Sequence, residues 1–290
     1  MQSHRLVILT CAVAGFFAWG ANRAFGLQSE LPMEEPKHDA GQSITGALEG
    51  WFQNPDGSFS ILLGYFNRNG KQVLDIPVGP NNKIEPGGPD QGQPTHFLAG
   101  REWGVFTLKV PKDFGDKKLL WTIVANGRTT TIPASLNPLW EISPFKEESV
   151  QNTPPVLAFD ENGPTIQGPR GFTKSVTTTV SQPLPLTVFV ADDAKKLPAS
   201  RRAVGPPATI TWTEFRGPGT VKFENAKPPV EVNAGKPIAQ APFFGKATTT
   251  ATFSEPGDYI LHVVANDWSG DGGRGFQCCW TYGDLKVSVK

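Results

Sequence analysis

The sequence predicts an all-β chain folded into two sandwich domains, and three observations predict it. Glycine and proline are abundant, at 31 and 27 of 290 residues, which favours short strands joined by many turns over long helices. Short apolar segments recur about every ten residues, the spacing of strands in a sandwich. Strong turn signals separate them: Asn54-Pro55-Asp56-Gly57, Asn69-Gly70 and Asn126-Gly127, where Asn and Gly tolerate positive φ.

The elements follow in chain order. His4 and Arg5 precede the apolar run Leu6–Ala21 and the small-x-small pattern Ala24-Phe25-Gly26, which reads as a secretory signal peptide over residues 1–26. The competing reading is an uncleaved membrane anchor, because the run approaches the length of a span. Residues 27–43 are polar and aperiodic, a disordered tether. The first domain, 44–136, takes strands at Ile44–Phe52, Phe59–Asn67, Val73–Val78, Thr95–Leu98, Val105–Val110, Leu119–Ala125 and Thr129–Pro133. Within it, Pro80–Pro94 reads as a long Gly/Pro-rich loop. The proline-interrupted segment 137–154 reads as a linker to the second domain, 155–290. Strands there are expected at Ser175–Val180, Leu186–Ala191, Ala208–Phe215, Thr220–Phe223, Ala247–Phe253, Asp258–Ala265 and Leu285–Val289.

The second domain carries a resemblance. Trp212, the run Arg216-Gly217-Pro218-Gly219-Thr220-Val221-Lys222-Phe223, then Ala247–Phe253, Glu255–Leu261 and Ala265-Asn266-Asp267 resemble the PKD-like, immunoglobulin-like domain of bacterial surface proteins. The match spans residues 208–267. It implies an immunoglobulin-like sandwich and a spacer or binding role, so the expected fold class is two immunoglobulin-like β-sandwiches behind a signal peptide. The residues agree independently. Trp212 lies mid-strand, where a sandwich buries a large aromatic, and Tyr259 follows a Pro-Gly-Asp turn, where its hydroxyl can bond back across the sheet corner. Alternation sends Tyr259, Leu261 and Val263 inward and His262 to the outer face. The family pattern stops at Asp267, and Trp268–Tyr282 is an insertion on which the resemblance is silent.

Composition narrows function. The chain has 27 basic and 27 acidic residues and no basic stripe, so nucleic acid is not an expected partner. The histidines beyond the signal, His38, His96 and His262, sit in the tether, beside a loop and on a strand face; no nucleophile-and-base set emerges, and the chain is expected not to be an enzyme. No cofactor is expected, with calcium as the one exception. Immunoglobulin-like topology brings Asp192 and Asp193 towards Asn266, Asp267 and Asp271, and hard cations want such oxygens together. The same residue types also serve as ordinary turn caps, which is the preferred reading. Trp268, Phe276, Trp280 and Tyr282 share that end and suit either a partner surface or a local core.

Cys278 and Cys279 are adjacent. Bonding to each other requires an irregular loop, because neighbouring Cα atoms lie closer than a disulfide ordinarily spans. Free thiols and bonds to another chain are the alternatives; a vicinal disulfide stiffening the loop is the working expectation. The function expected is a secreted, periplasmic or cell-surface interaction or scaffolding protein, meeting an extracellular protein or polysaccharide at the B–C and F–G loop end. A carbohydrate-binding accessory protein and a calcium-stabilised adhesin are the alternatives. Contact with a membrane is expected only through an uncleaved signal anchor.

Overall fold

Eight strands build the first sandwich: β1 (Ile44–Gln53), β2 (Phe59–Asn67), β3 (Leu74–Asp75), β4 (Asn82–Glu85), β5 (His96–Phe97), β6 (Gly100–Val110), β7 (Lys118–Ala125) and β8 (Arg128–Ser135). The structure, a computed structural model, describes residues 38–195, 206–267 and 278–290. The signal segment, most of the tether, and Trp268, Asp271 and Phe276 therefore lie outside the described residues. One sheet has the order β1-β2-β6 and the other β4-β7-β8, with β3 and β5 as a separate short pair. Ile44, Ile61, Leu63, Phe106 and Leu108 from the first meet Ile84, Leu119, Trp121 and Ile123 from the second in one core. The expected loop 80–94 is only partly a loop. Residues 82–85 pair with β7 as a strand, and Asn82 donates side-chain hydrogen bonds to the carbonyls of Ile76 and Pro94, tying the rest down.

Ten further strands form the second sandwich: β9 (Val156–Ala158), β10 (Ile166–Gln167), β11 (Thr173–Thr178), β12 (Leu184–Asp192), β13 (Ala208–Arg216), β14 (Val221–Phe223), β15 (Glu231–Val232), β16 (Phe243–Phe253), β17 (Gly257–Asp267) and β18 (Trp280–Val289). Their sheets run β10-β9-β12-β16-β14 and β11-β18-β17-β13, with β11 parallel to β18. This is the strand order of an immunoglobulin-like sandwich, in which β12, β13, β16, β17 and β18 stand as B, C, E, F and G. Trp212 is fully enclosed in its core, and the Tyr259 hydroxyl donates to the Glu255 carbonyl at 2.9 Å.

The outer face of the β11-β18-β17-β13 sheet is covered over β13, β17 and the start of β18, whereas β11 and Lys286 remain exposed. The first sandwich covers that part, through its own β1-β2-β6 sheet. Phe52, Leu62 and Ile142 pack with Trp280 and Tyr282 in a third apolar cluster, and Phe215 of β13 enters the first core. β2 is therefore buried on both faces, with Ile61, Leu62 and Leu63 all fully enclosed. Polar ties reinforce the contact. Arg216 holds Asp90 with two guanidinium hydrogen bonds at 3.0 and 2.9 Å, and the Thr95 N–H donates to the Phe215 carbonyl at 3.1 Å.

Residues 137–154 depart from the expected free linker. The Ile142 N–H donates to the Trp51 carbonyl, the Trp51 indole donates to the Asn137 carbonyl, and Asn152 is fully buried. Prolines bend the segment, and its hydrogen bonds reach both sandwiches, through Ile142 and Asn137 to Trp51 and through Asn152 to Asp267. Among the described residues, no helix is long and apolar enough to cross a membrane.

Candidate functional site

A bulge in β6 shapes the ground between the sandwiches. Its register against β2 jumps from Phe106 to Glu102 between Leu63 and Tyr65, leaving Trp103, Gly104 and Val105 looped out. Gly104 takes φ +55, and a Cβ there would run into the Trp280 indole. Glycine is needed on both counts. The bulge makes room for Trp280 and turns Trp103 outward, where 40% of it is exposed under the stacked guanidinium of Arg101.

The bulge borders a cleft of about 610 Å³ whose walls include His96, Glu102, Trp103, Thr213, Glu214 and Trp280. Clefts at such domain junctions are common ligand sites. Among the described residues the buried Trp280 Nε1 has no hydrogen-bond partner, nor has that of Trp212, although buried indole N–H groups ordinarily find one. Of the two readings for Trp280 and Tyr282, partner surface or local core, their surroundings are those of an apolar core. They belong to a strand rather than a loop tip, they are 3% and 4% exposed, and the Tyr282 hydroxyl lies 3.2 Å from the Thr107 hydroxyl of the other sandwich. His262 does sit on the outer face of its own sandwich, yet it is buried. Its ring lies between Phe215 and Tyr282, and its Nδ1 is 2.7 Å from Asp284 Oδ1.

The end of the second sandwich next to Trp280, which pairs with Asn266, holds the acidic residues. Asp192 and Asp267 are both buried. Asp192 Oδ1 accepts from the Ala194 N–H at 2.8 Å, and Asp193 Oδ1 accepts from the Lys195 N–H at 3.0 Å, each capping its own turn. Asp193 Oδ2 also takes the Thr153 N–H and hydroxyl. The amide of Asn152, from the segment expected to be linker, donates to Asp267 Oδ2. Among the described residues, Asp192 Oδ2 and Asn152 Oδ1 are buried here without a hydrogen-bond partner. Burial pushes the Asp192 carboxyl up to about 7, and the charges of Asp267 and Asp193 push the same way against the Ala194 hydrogen bond. Asn266 is buried beside them on β17. Cys278 and Cys279 stand at the start of this edge with their sulfurs in contact, and Cys279 Sγ lies 3.6 Å from the Asn152 carbonyl.

No protein-family model matches the chain, and no curated protein matches it in sequence. Solved structures match distantly. Domains 4 and 5 of the S-layer protein SbsC are 12% identical, over 86% of this chain and 98% of that one, with a TM-score of 0.23. The D00-D0 domain of intimin is 11% identical, over 84% and 99%, with a TM-score of 0.25. The N-terminal periplasmic domain of ScsB from Proteus mirabilis is 9% identical, over 82% and 90%, also with a TM-score of 0.25. The immunoglobulin-like assignment rests on strand order, not on these.

The sequence reading missed Trp103, Glu214 and Asn152. Trp103-Gly104 interrupting an apolar strand was a signal of a bulge. Asn152 gave none, because its role depends on where the chain returns.

Proposed function

We propose that this is an exported, non-enzymatic interaction or scaffolding protein of the cell envelope, and that its ligand enters the cleft between the two sandwiches. The observation that carries the reading is the buried Trp280 Nε1 without a protein partner at the edge of that cleft. The indole is 3% exposed, so a ligand oxygen reaches it only where the cleft wall gives way, and there it recovers a hydrogen bond that the folded chain leaves unmade. Export rests on the signal-like N-terminus, and the PKD-like assignment of the second sandwich rests on the residues 208–267 quoted above. The test is Trp280→Phe, which removes the N–H and keeps the ring. Screened against envelope polysaccharides and extracellular proteins, the mature chain should bind a ligand at least fivefold more tightly than the variant, at equal melting temperature. Equal binding by both would refute the cleft.

Trp103 favours a carbohydrate ligand as the second reading. An exposed indole at the cleft edge offers a flat face on which a sugar ring can stack. Loss of polysaccharide retention in Trp103→Ala, with protein binding unaffected, supports it; retention by that variant refutes it.

A calcium-stabilised adhesin is supported by the two unpartnered oxygens, Asp192 Oδ2 and Asn152 Oδ1, beside Asp267. Calcium should then raise the melting temperature of the wild type and not of Asp192→Asn. Identical wild-type melting in calcium and in chelator removes that reading. The vicinal disulfide would stiffen the edge leading into this end, and a mature monomer two hydrogens lighter than its dithiol form is the expected mass.

A further inference from the structure

Asp75 and His96, from two strands of the first sandwich, and Glu214, from β13 of the second, meet at one point. The register of β3 on β5 sets Asp75 opposite His96, and His96 Nδ1 lies 2.7 Å from Asp75 Oδ1. The Thr95 N–H on the Phe215 carbonyl lays the β5 edge against β13, beside the bulge between Glu214 and Arg216. One donor atom from each of the three side chains lies within 4.8 Å of the other two.

The charges are poorly matched without a further cation. Glu214 is 8% exposed, and among the described residues no lysine or arginine pairs with it. The Val221 N–H donates to its Oε2 at 3.2 Å. Burial raises its carboxyl above the ordinary range, His96 opposes the rise, and the Asp75 carboxylate adds to it. Two carboxylates thus share a single imidazole. A divalent ion would balance both.

We propose that these three residues form a transition-metal site of the zinc class, clasping the two sandwiches at the cleft. One imidazole nitrogen and two carboxylate oxygens suit zinc, which takes about four donors at roughly 2.0–2.2 Å. Calcium wants six to eight oxygens and is disfavoured by the same set. Tetrahedral donors at those bond lengths sit about 3.3 Å apart, so the His96–Asp75 pair, at 2.7 Å, opens by about 0.6 Å and donors as far as 4.8 Å apart close on the ion. Three protein donors leave one position for water or for a ligand in the cleft, which His96 and Glu214 both line. The site stands whether or not the Trp280 reading of the cleft holds.

The test uses the mature chain without a histidine tag, stripped with chelator. Titration with Co²⁺ should give the visible absorption of tetrahedral cobalt at one equivalent, displaced by Zn²⁺. Zinc should raise the wild-type melting temperature. His96→Gln and Glu214→Gln should each weaken binding tenfold or more and abolish the melting shift, while Asp284→Asn, at the other His–carboxylate pair, should leave both intact. His96 is partly exposed, so its variant should melt normally in chelator and keep the test valid if Glu214→Gln folds poorly. Absence of Co²⁺ and Zn²⁺ binding to the wild type, or binding that survives His96→Gln, overturns the proposal.

Discussion

Asp192 is the residue whose burial pH should expose. Its carboxyl sits at about 7 in the fold against an ordinary 3.8. Between those values the folded chain holds a proton that the unfolded chain has released, so stability falls as pH rises through this window and stays low above it. The ceiling on the effect is about 4 kcal/mol, at roughly 1.4 kcal/mol per pH unit. Asparagine imitates the protonated acid. In chelator, Asp192→Asn should melt above the wild type at pH 8, with the gain vanishing near pH 4; parallel curves would contradict this. The sequence made these oxygens legible as a group, since topology alone brings β12 and β17 ends together. It could not show which would be used up by turns. Asp193 spends its oxygens on Thr153 and Lys195, whereas Asp192 keeps one free of partners.

Strands were legible because alternation and turn chemistry are local, and the β2 and β17 boundaries fall within two residues of those expected. What sits on an outer face is not local. Alternation placed His262 outward correctly, but nothing within β17 says that another sandwich lies there. A signal did exist in β2, where Ile61-Leu62-Leu63 runs apolar without alternation, the pattern of a strand covered on both faces. The Trp280 placement depends likewise on the β6 bulge. Gly104→Ala should destabilise the protein by about 1–3 kcal/mol, combining the strain of positive φ with overpacking against the indole. Trp280 fluorescence should shift red as its packing loosens. A variant as stable as the wild type would show that the bulge does not support the indole.

The two sandwiches form one body in which the shared face builds the cleft, and the Asp90–Arg216 fork at its edge makes that face sensitive to acid. Arg216 holds the Asp90 carboxyl below its ordinary value. The pair's contribution is therefore present above the ordinary aspartate pKa and is lost as pH falls through the lower folded value. Asp90→Asn should remove part of the wild type's loss of stability below pH 4; an unchanged acid limb would show that the fork is silent. A buried Asn152 and the Ile142–Trp51 hydrogen bond tie residues 137–154 to the sandwiches they join. Calorimetric unfolding of the mature chain in chelator at neutral pH is the most direct measurement of this claim. One body predicts a single transition whose calorimetric and van't Hoff enthalpies agree. Two resolved transitions, one for each sandwich, would contradict it.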